Sequence, residues 1–143
     1  KGADINTRDK NGNTLSYYLI NNFKAKNTKR FEDKLSLLQK TGLVINEIQN
    51  TGNTLLHIAT ERNDLELLKR LSSFNIDVNI KNDNDLSALQ IGVMKAKNDK
   101  IIKYLISIGA DKNVKTNFDE TIYDLASENE ILQKNKTNIN FLK

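Results

Sequence analysis

Gly52-Asn53-Thr54-Leu55-Leu56-His57-Ile58-Ala59, followed by Asn63-Asp64-Leu65-Glu66-Leu67-Leu68 and then Asn75-Ile76-Asp77-Val78-Asn79, is the stretch that decides the fold. A small polar turn opens it. The Thr54 hydroxyl can accept from an orphan backbone N–H in a first helical turn, and Leu56, Ala59 and Thr60 then share one face. Asn63-Asp64 interrupts the run and can cap a second helix, in which Leu65, Leu67, Leu68 and Leu71 form an apolar stripe at helical spacing. Two helices of about ten residues bury no core of their own, so the hairpin requires similar units stacked on both sides.

Similar units are present. Gly12-Asn13-Thr14-Leu15 matches Gly52-Asn53-Thr54-Leu55 letter for letter, and Asp85-Leu86-Ser87-Ala88 and Asp119-Glu120-Thr121-Ile122 hold the same place further on. The capping hydroxyls are Thr14, Thr54, Ser87 and Thr121. Closing segments recur as Gly2-Ala3-Asp4-Ile5-Asn6, Gly42-Leu43-Val44-Ile45-Asn46, Asn75 to Asn79 and Gly109-Ala110-Asp111-Lys112-Asn113, with the final asparagines 40, 33 and 34 residues apart. A period near 33 with a turn, two helices, Thr-x-x-His and Gly-Ala-Asp-x-Asn resembles the ankyrin repeat. The resemblance covers nearly the whole chain and implies an all-α solenoid of stacked turn-helix-helix units. Residues 1–6 then end a preceding repeat; 7–46 form a repeat with an insertion near 23–30; 47–79 and 80–113 are regular; 114–143 form a C-terminal cap.

Composition fits one elongated domain over residues 1–143, with 38% hydrophobic and 6% aromatic residues. The net charge of +4 comes from scattered lysines without a run of five like charges, which argues against nucleic acid or an anionic membrane as partner. The chain has no cysteine, hence no disulfide framework and no thiolate chemistry. No apolar run approaches the ~18 residues of a membrane span, and the first residues are not a signal peptide. Proline is absent even after the capping hydroxyls, where the ankyrin pattern places it and this chain has Leu15, Leu55, Ala88 and Ile122; a first-turn position tolerates proline without requiring it. The Asn-, Lys- and Ile-rich composition points to an AT-rich genome, bacterial or parasitic; the residues themselves give no compartment, and the cytoplasm of the producing cell, or of a host if the protein is secreted, is the expectation.

In chain order, Gly2 sits where the family uses a left-handed helix cap, so the array is expected to continue upstream of Lys1. In the first repeat Ser16 replaces a core leucine and Leu19 a small residue, a volume exchange across adjacent positions. Its insertion, with Lys24, Lys26, Lys29 and Arg30, predicts an exposed, extended connection, after which Phe31, Leu35 and Leu38 mark a second helix. Gly92 inside the first helix of the third repeat costs up to about 1 kcal/mol relative to alanine and predicts close helix packing. In the last repeat the apolar stripe stops after Leu132, which predicts a short, polar-faced second helix and an end that packs irregularly or frays through Phe141 and Leu142.

Chemistry is sparse. The lone His57 falls in the Thr-x-x-His position that ankyrin repeats use to bond neighbouring hairpins, without further ligands for a metal. Asp4, Asp77 and Asp111 fall at helix-to-turn corners where they accept backbone hydrogen bonds. The expectation is a non-catalytic chain with no cofactor and no metal. The resemblance implies a protein-binding face of hairpin tips and first helices. Its variable positions align to Arg8, Lys10, Asn11, Asn13, Asn21 and Asn22 in the first repeat, and to Ile48, Asn50, Thr51, Asn53, Glu61 and Arg62 in the second. They align to Lys81, Asp83, Asn84, Leu86, Met94 and Lys95 in the third, and to Lys115, Asn117, Phe118, Glu120, Glu128 and Asn129 in the fourth. Ile48, Leu86, Met94 and Phe118 are the apolar exceptions and the expected anchors. Bases outnumber acids at these positions, so the expected partner is a mildly acidic protein, bound by a monomer that can associate through its uncovered N-terminal end. The alternative is a spacer or regulatory segment whose catalytic partner domain precedes residue 1.

Overall fold

The computed structural model describes residues 4–143 and consists of eight α-helices arranged as four hairpins. These are α1 (Leu15–Asn21) with α2 (Thr28–Lys40), α3 (Leu55–Glu61) with α4 (Leu65–Ser72), α5 (Ala88–Lys95) with α6 (Lys100–Ser107), and α7 (Ile122–Glu128) with α8 (Glu130–Lys134). The first helices stack in order, α1 on α3, α3 on α5 and α5 on α7, and α3, α5 and α7 pack on α4, α6 and α8. Among the described residues β-pairing is confined to two isolated bridges, Lys81 with Ser87 and Lys115 with Thr121. Gly2 and its expected left-handed cap lie outside the described residues.

Each first helix has to satisfy the N–H of its capping residue, and the four repeats do so with four different side chains. In α3 the Thr54 N–H donates to His57 Nδ1 at 3.1 Å, and the Thr54 hydroxyl accepts the His57 N–H. Gln90 and Asp124 play the imidazole's part for Ser87 and Thr121. The first repeat has Tyr17 at that place and no capping bond of its own, contrary to the expectation for Thr14. A carboxamide from the next repeat takes over: Gln49 Oε1 accepts both the Thr14 N–H (2.8 Å) and its hydroxyl (3.0 Å). Asp64 and Asn129 cap α4 and α8 by accepting first-turn N–H groups.

The turns are equally regular. Asp9, Gln49, Asn82 and Thr116 each exchange backbone bonds with the residue four positions on and the residue three positions on, and the latter (Gly12, Gly52, Asp85, Asp119) has positive φ. At the far end of the hairpins the aspartates act as expected, Asp4, Asp77 and Asp111 each accepting an N–H two residues later. The closing asparagines do more: Asn6 donates to the Gly42 carbonyl and accepts from Val44 N–H, and Asn79 donates to Gly109 and accepts from Asp111 N–H. Each carboxamide thus ties one repeat to the next with both of its ends.

Packing explains the irregular segments. Gly92 has Leu105 Cδ1 and Thr60 Cγ2 at 3.2 and 3.3 Å from where a Cβ would stand, so the predicted close approach is present. Residues 23–30 are not an extended connection: a 3-10 turn, Ala25–Asn27, runs directly into α2. The cause is Phe23, buried and stacked edge-on against Phe31 with ring centres 4.8 Å apart, which pulls the insertion onto the core. The C-terminus does not fray either. Leu142 is buried in a second 3-10 turn, Lys112 Nζ donates to the carbonyls of Phe141 and Lys143, and Lys103 lies over the Phe141 ring.

His57 is a structural residue of this stack. With Nδ1 accepting from Thr54, the proton sits on Nε2, which donates to the Leu86 carbonyl of the next repeat at 3.0 Å. Burial holds its pKa below the usual value, the Leu86 bond opposing this only in part. A second proton on Nδ1 would also face the Thr54 N–H. The neutral form is therefore favoured by folding, so this contribution is complete above the unfolded pKa of about 6.5 and is lost as pH falls below it. Because His57 is the only histidine, chemical denaturation between pH 7.5 and about 5.5 should show falling stability in the wild type and a flatter profile in His57→Gln. His57→Ala should lose roughly 1–3 kcal/mol at pH 7.5 through unpaired partners.

Gln90 Nε2, in contrast, is buried without a partner. Gln90→His would supply the longer reach of His57, to the carbonyl of Glu120, and should gain about 1 kcal/mol in the same assay. Gly12 and Gly52, identical in local sequence, should respond differently to alanine. Both have positive φ, 80° and 72°, so each substitution costs roughly 1–2 kcal/mol of backbone strain. At Gly52 the new Cβ would also stand 2.4 Å from Asp83 Oδ1 and 2.7 Å from Asp83 N, whose N–H donates to the Thr51 carbonyl at 3.0 Å; at Gly12 the nearest atom is 3.8 Å away. Gly52→Ala should therefore lower stability by a further ~1–3 kcal/mol relative to Gly12→Ala, and equal losses would contradict the tip-to-tip contact.

Candidate interaction face

The tips and first helices form two clefts on one side of the stack, and the residues aligned as partner-facing supply most of their walls. The first, of about 410 Å³, lies between the first and second repeats and takes Asn13, Asn21, Asn50, Thr51, Asn53, Glu61 and Arg62 from that set, with Tyr17 and Ile58 beneath. The second, of about 250 Å³, lies between the third and fourth repeats. Asn84, Leu86, Met94, Asn117, Phe118 and Glu120 line it together with Asp85, Thr116 and Leu125. A smaller hollow bounded by Met94, Leu125, Glu128 and Asn129 continues it along α7.

The two clefts differ in chemistry. Carboxamides dominate the first. The second is lined mainly by carbon, and at its mouth the Phe118 ring is 87% exposed, held on a turn that Thr116 Oγ1 organises by accepting the N–H groups of Phe118 and Glu120. Met94 is 44% exposed and Leu86 half-buried. Three of the four expected apolar anchors thus meet in one place; Ile48, although exposed, borders neither cleft.

Several aligned positions have structural work instead. Asn13 is buried and its Oδ1 accepts the Asn50 N–H, which corrects its placement among the accessible residues. Asn129 is buried as well, capping α8 while donating to the carbonyls of Val93 and Ala96. Asn53 Oδ1 accepts from Asn82, and an Arg62 N–H donates to the Ile20 carbonyl. Arg8, Lys10, Asn11, Lys81, Asp83 and Lys95 stand outside both clefts, and Lys115 borders a separate hollow near the C-terminus.

Charge is redistributed by pairing. Arg8 pairs with Glu47, Arg62 with Asp64, Lys81 with Asp85, Lys95 with Glu61 and Lys115 with Asp119, at 2.6 to 3.5 Å. Lys10 is left as the single base of the aligned set outside such a pair among the described residues, whereas Asp83, Glu120 and Glu128 are in none. The excess of bases that suggested an acidic partner is therefore matched locally by carboxylates, of which Glu47, Asp64, Asp85 and Asp119 lie outside the aligned set. The displaced acids belong to the framework. Asp9 is lowered chiefly by the Tyr18 hydroxyl, which is itself raised by Asp9, and Asp124 is lowered chiefly by the Thr121 hydroxyl. No group of three or more potential ligands is placed to hold a metal among the described residues, and no helix there is long and apolar enough to cross a membrane.

Sequence reasoning missed Ile58 and Leu125, the apolar floors of the two clefts. A signal was available: the position four after the capping hydroxyl is Tyr18, Ile58, Ile91 and Leu125, large in every repeat.

Known proteins share this organisation. The family described as ankyrin repeats (3 copies) matches residues 23–116. Alpha-latrotoxin-Lg1a of Latrodectus geometricus is 29% identical over 133 residues, 91% of this chain and 9% of the toxin. The putative ankyrin repeat protein FPV031 of fowlpox virus is 29% identical over 123 residues, 84% of this chain and 34% of the viral protein. Transient receptor potential cation channel subfamily A member 1 of Homo sapiens is 36% identical over 63 residues, 44% of this chain and 6% of the channel. The chain thus spans from less than a tenth to about a third of the length of these relatives. With that match over residues 23–116 and four stacked helical hairpins, the chain belongs to the ankyrin-repeat family.

Proposed function

We propose that the chain is a non-catalytic recognition module that holds a protein partner on the face made by its tips and first helices, with the cleft between the third and fourth repeats as the principal contact. Ankyrin repeats are generally protein–protein interaction modules. What supports the reading for this chain is the convergence of Leu86, Met94 and Phe118 on one mainly apolar cleft. A ring left 87% exposed gains nothing from its own fold, whereas burying it under a partner would stabilise the complex by about 1.5–3 kcal/mol. The helices beneath are fixed by packing, so little conformational entropy is lost on docking. A second reading, a spacer within a longer chain, is favoured by the small share of the relatives that this stretch spans.

Selection of a displayed random linear peptide library against the immobilised chain separates the two. A recognition module should yield peptides whose binding drops at least tenfold in Met94→Ser/Phe118→Ser and is unchanged in Leu37→Ser, an exposed apolar residue outside both clefts, with all three proteins melting alike. Absence of binders, or binders indifferent to the cleft substitutions, would favour the spacer.

A further inference from the structure

We infer that the cleft between the third and fourth repeats is built for a linear segment pairing one large apolar side chain with a lysine or arginine one to three residues away. The inference rests on the recognition reading above and specifies the partner's chemistry. The apolar requirement follows from the walls, Leu86, Met94, Phe118 and Leu125. Its continuation along α7, bounded by Met94, Leu125, Glu128 and Asn129, shares two of those walls and ends at the Glu128 carboxylate. Glu128 stands one helical turn beyond Leu125, about 5 Å along the axis, a span covered by one or two residues of extended chain.

The electrostatics of this end of the face have one sign. Lys81 and Lys115, the bases on the adjoining tips, are held by Asp85 and Asp119 at 3.0 and 2.8 Å, and Lys95 on α5 by Glu61 at 3.1 Å. Glu120 accepts one hydroxyl bond from Thr116, and Glu120, Glu128 and Asp83 are in no ion pair among the described residues. No basic side chain lines the cleft or its continuation. A partner that buried an acidic residue here would meet only carboxylates and carboxamides. One that carried a base would find Glu128 and Glu120 on either side of the apolar seat, where the apolar contact supplies affinity and the charges set register and on-rate.

Sequencing the peptides recovered by the selection above tests this directly. Clones lost in Met94→Ser/Phe118→Ser should be enriched in an aromatic or large aliphatic residue with Lys or Arg within three positions. A synthetic peptide of the dominant sequence should bind Glu120→Gln/Glu128→Lys three- to tenfold more weakly at 50 mM salt, with the difference shrinking at 500 mM. Phe118→Ala should weaken it at both salt concentrations. Cleft-dependent peptides that are acidic, or neutral and indifferent to the Glu128 substitution, would overturn the basic-partner inference while leaving the recognition reading intact. Failure to recover any cleft-dependent peptide would instead count against that reading itself.

Discussion

Helices of seven or eight residues do not persist alone, and the constraint that organises this molecule is that each first helix must be covered by its neighbours, α3 and α5 by another first helix on either flank. Apolar burial supplies most of that cover: α3 and α5 bury six residues each, on all sides. Burial has no register of its own, however, and a stack held by it alone could slide. Register comes from hydrogen bonds that cross between repeats at both edges of the stack. At the tips these are Gln49 to Thr14, His57 to the Leu86 carbonyl, Asn53 to Asn82 and the Asp83 N–H to Thr51. At the far edge they are the Asn6 and Asn79 carboxamides. Their donors and acceptors would be left unpaired by a one-residue slip, at a cost of about 1–3 kcal/mol for each buried group.

The inter-repeat bonds also explain which parts of the fold could be read from the chain. Hairpins, caps and closing turns were legible because each depends on residues within a few positions: Thr54 with His57, Asp64 with Leu67, Asp77 with Asn79. The Thr14 cap was misread because Tyr17 offers no acceptor and the substitute comes from Gln49, 35 residues away. Likewise the insertion looked like a loop by composition, since Lys24, Lys26, Lys29 and Arg30 make up half of it. Its helix is decided by Phe23 reaching Phe31, a contact that neither composition nor the apolar period of α2 announces.

For the interaction face the outcome divides in the same way. Most of the residues that line the two clefts are at positions the repeat alignment picks out, because the period fixes where a side chain points, although Ile58 and Leu125 are not and several aligned positions stand outside both clefts. What those positions present did not, because the charge at a site includes carboxylates outside the aligned set. Lys81 with Asp85 and Lys115 with Asp119 are four apart in sequence, held together by the tight turn between them. Counting the bases without those partners makes the surface look cationic. Exposed pairs of this kind contribute little to stability, but they cancel the field that a ligand meets beyond a few ångströms.

The same geometry separates stability from recognition along the molecule. Bonds that fix register use the interior edge of each tip, where Asn13, His57, Ser87 and Gln90 are buried, and substitutions there act on folding. The outer edge, two to seven positions away, carries Asn84, Met94, Phe118 and Glu128, whose side chains bear on no neighbouring repeat through a hydrogen bond or ion pair among the described residues. Such positions can change without disturbing the stack, since replacing an exposed side chain away from a cap or a pair is usually worth less than about 0.5 kcal/mol. A large apolar residue at one of them therefore contributes little to the fold. Phe118 is the extreme case: its backbone N–H holds the turn by bonding to Thr116, a duty any residue could perform, and its ring touches solvent over almost its whole surface. The turn accounts for the position and leaves the side chain free to vary, so the proposed recognition role rests on the ring and not on its backbone.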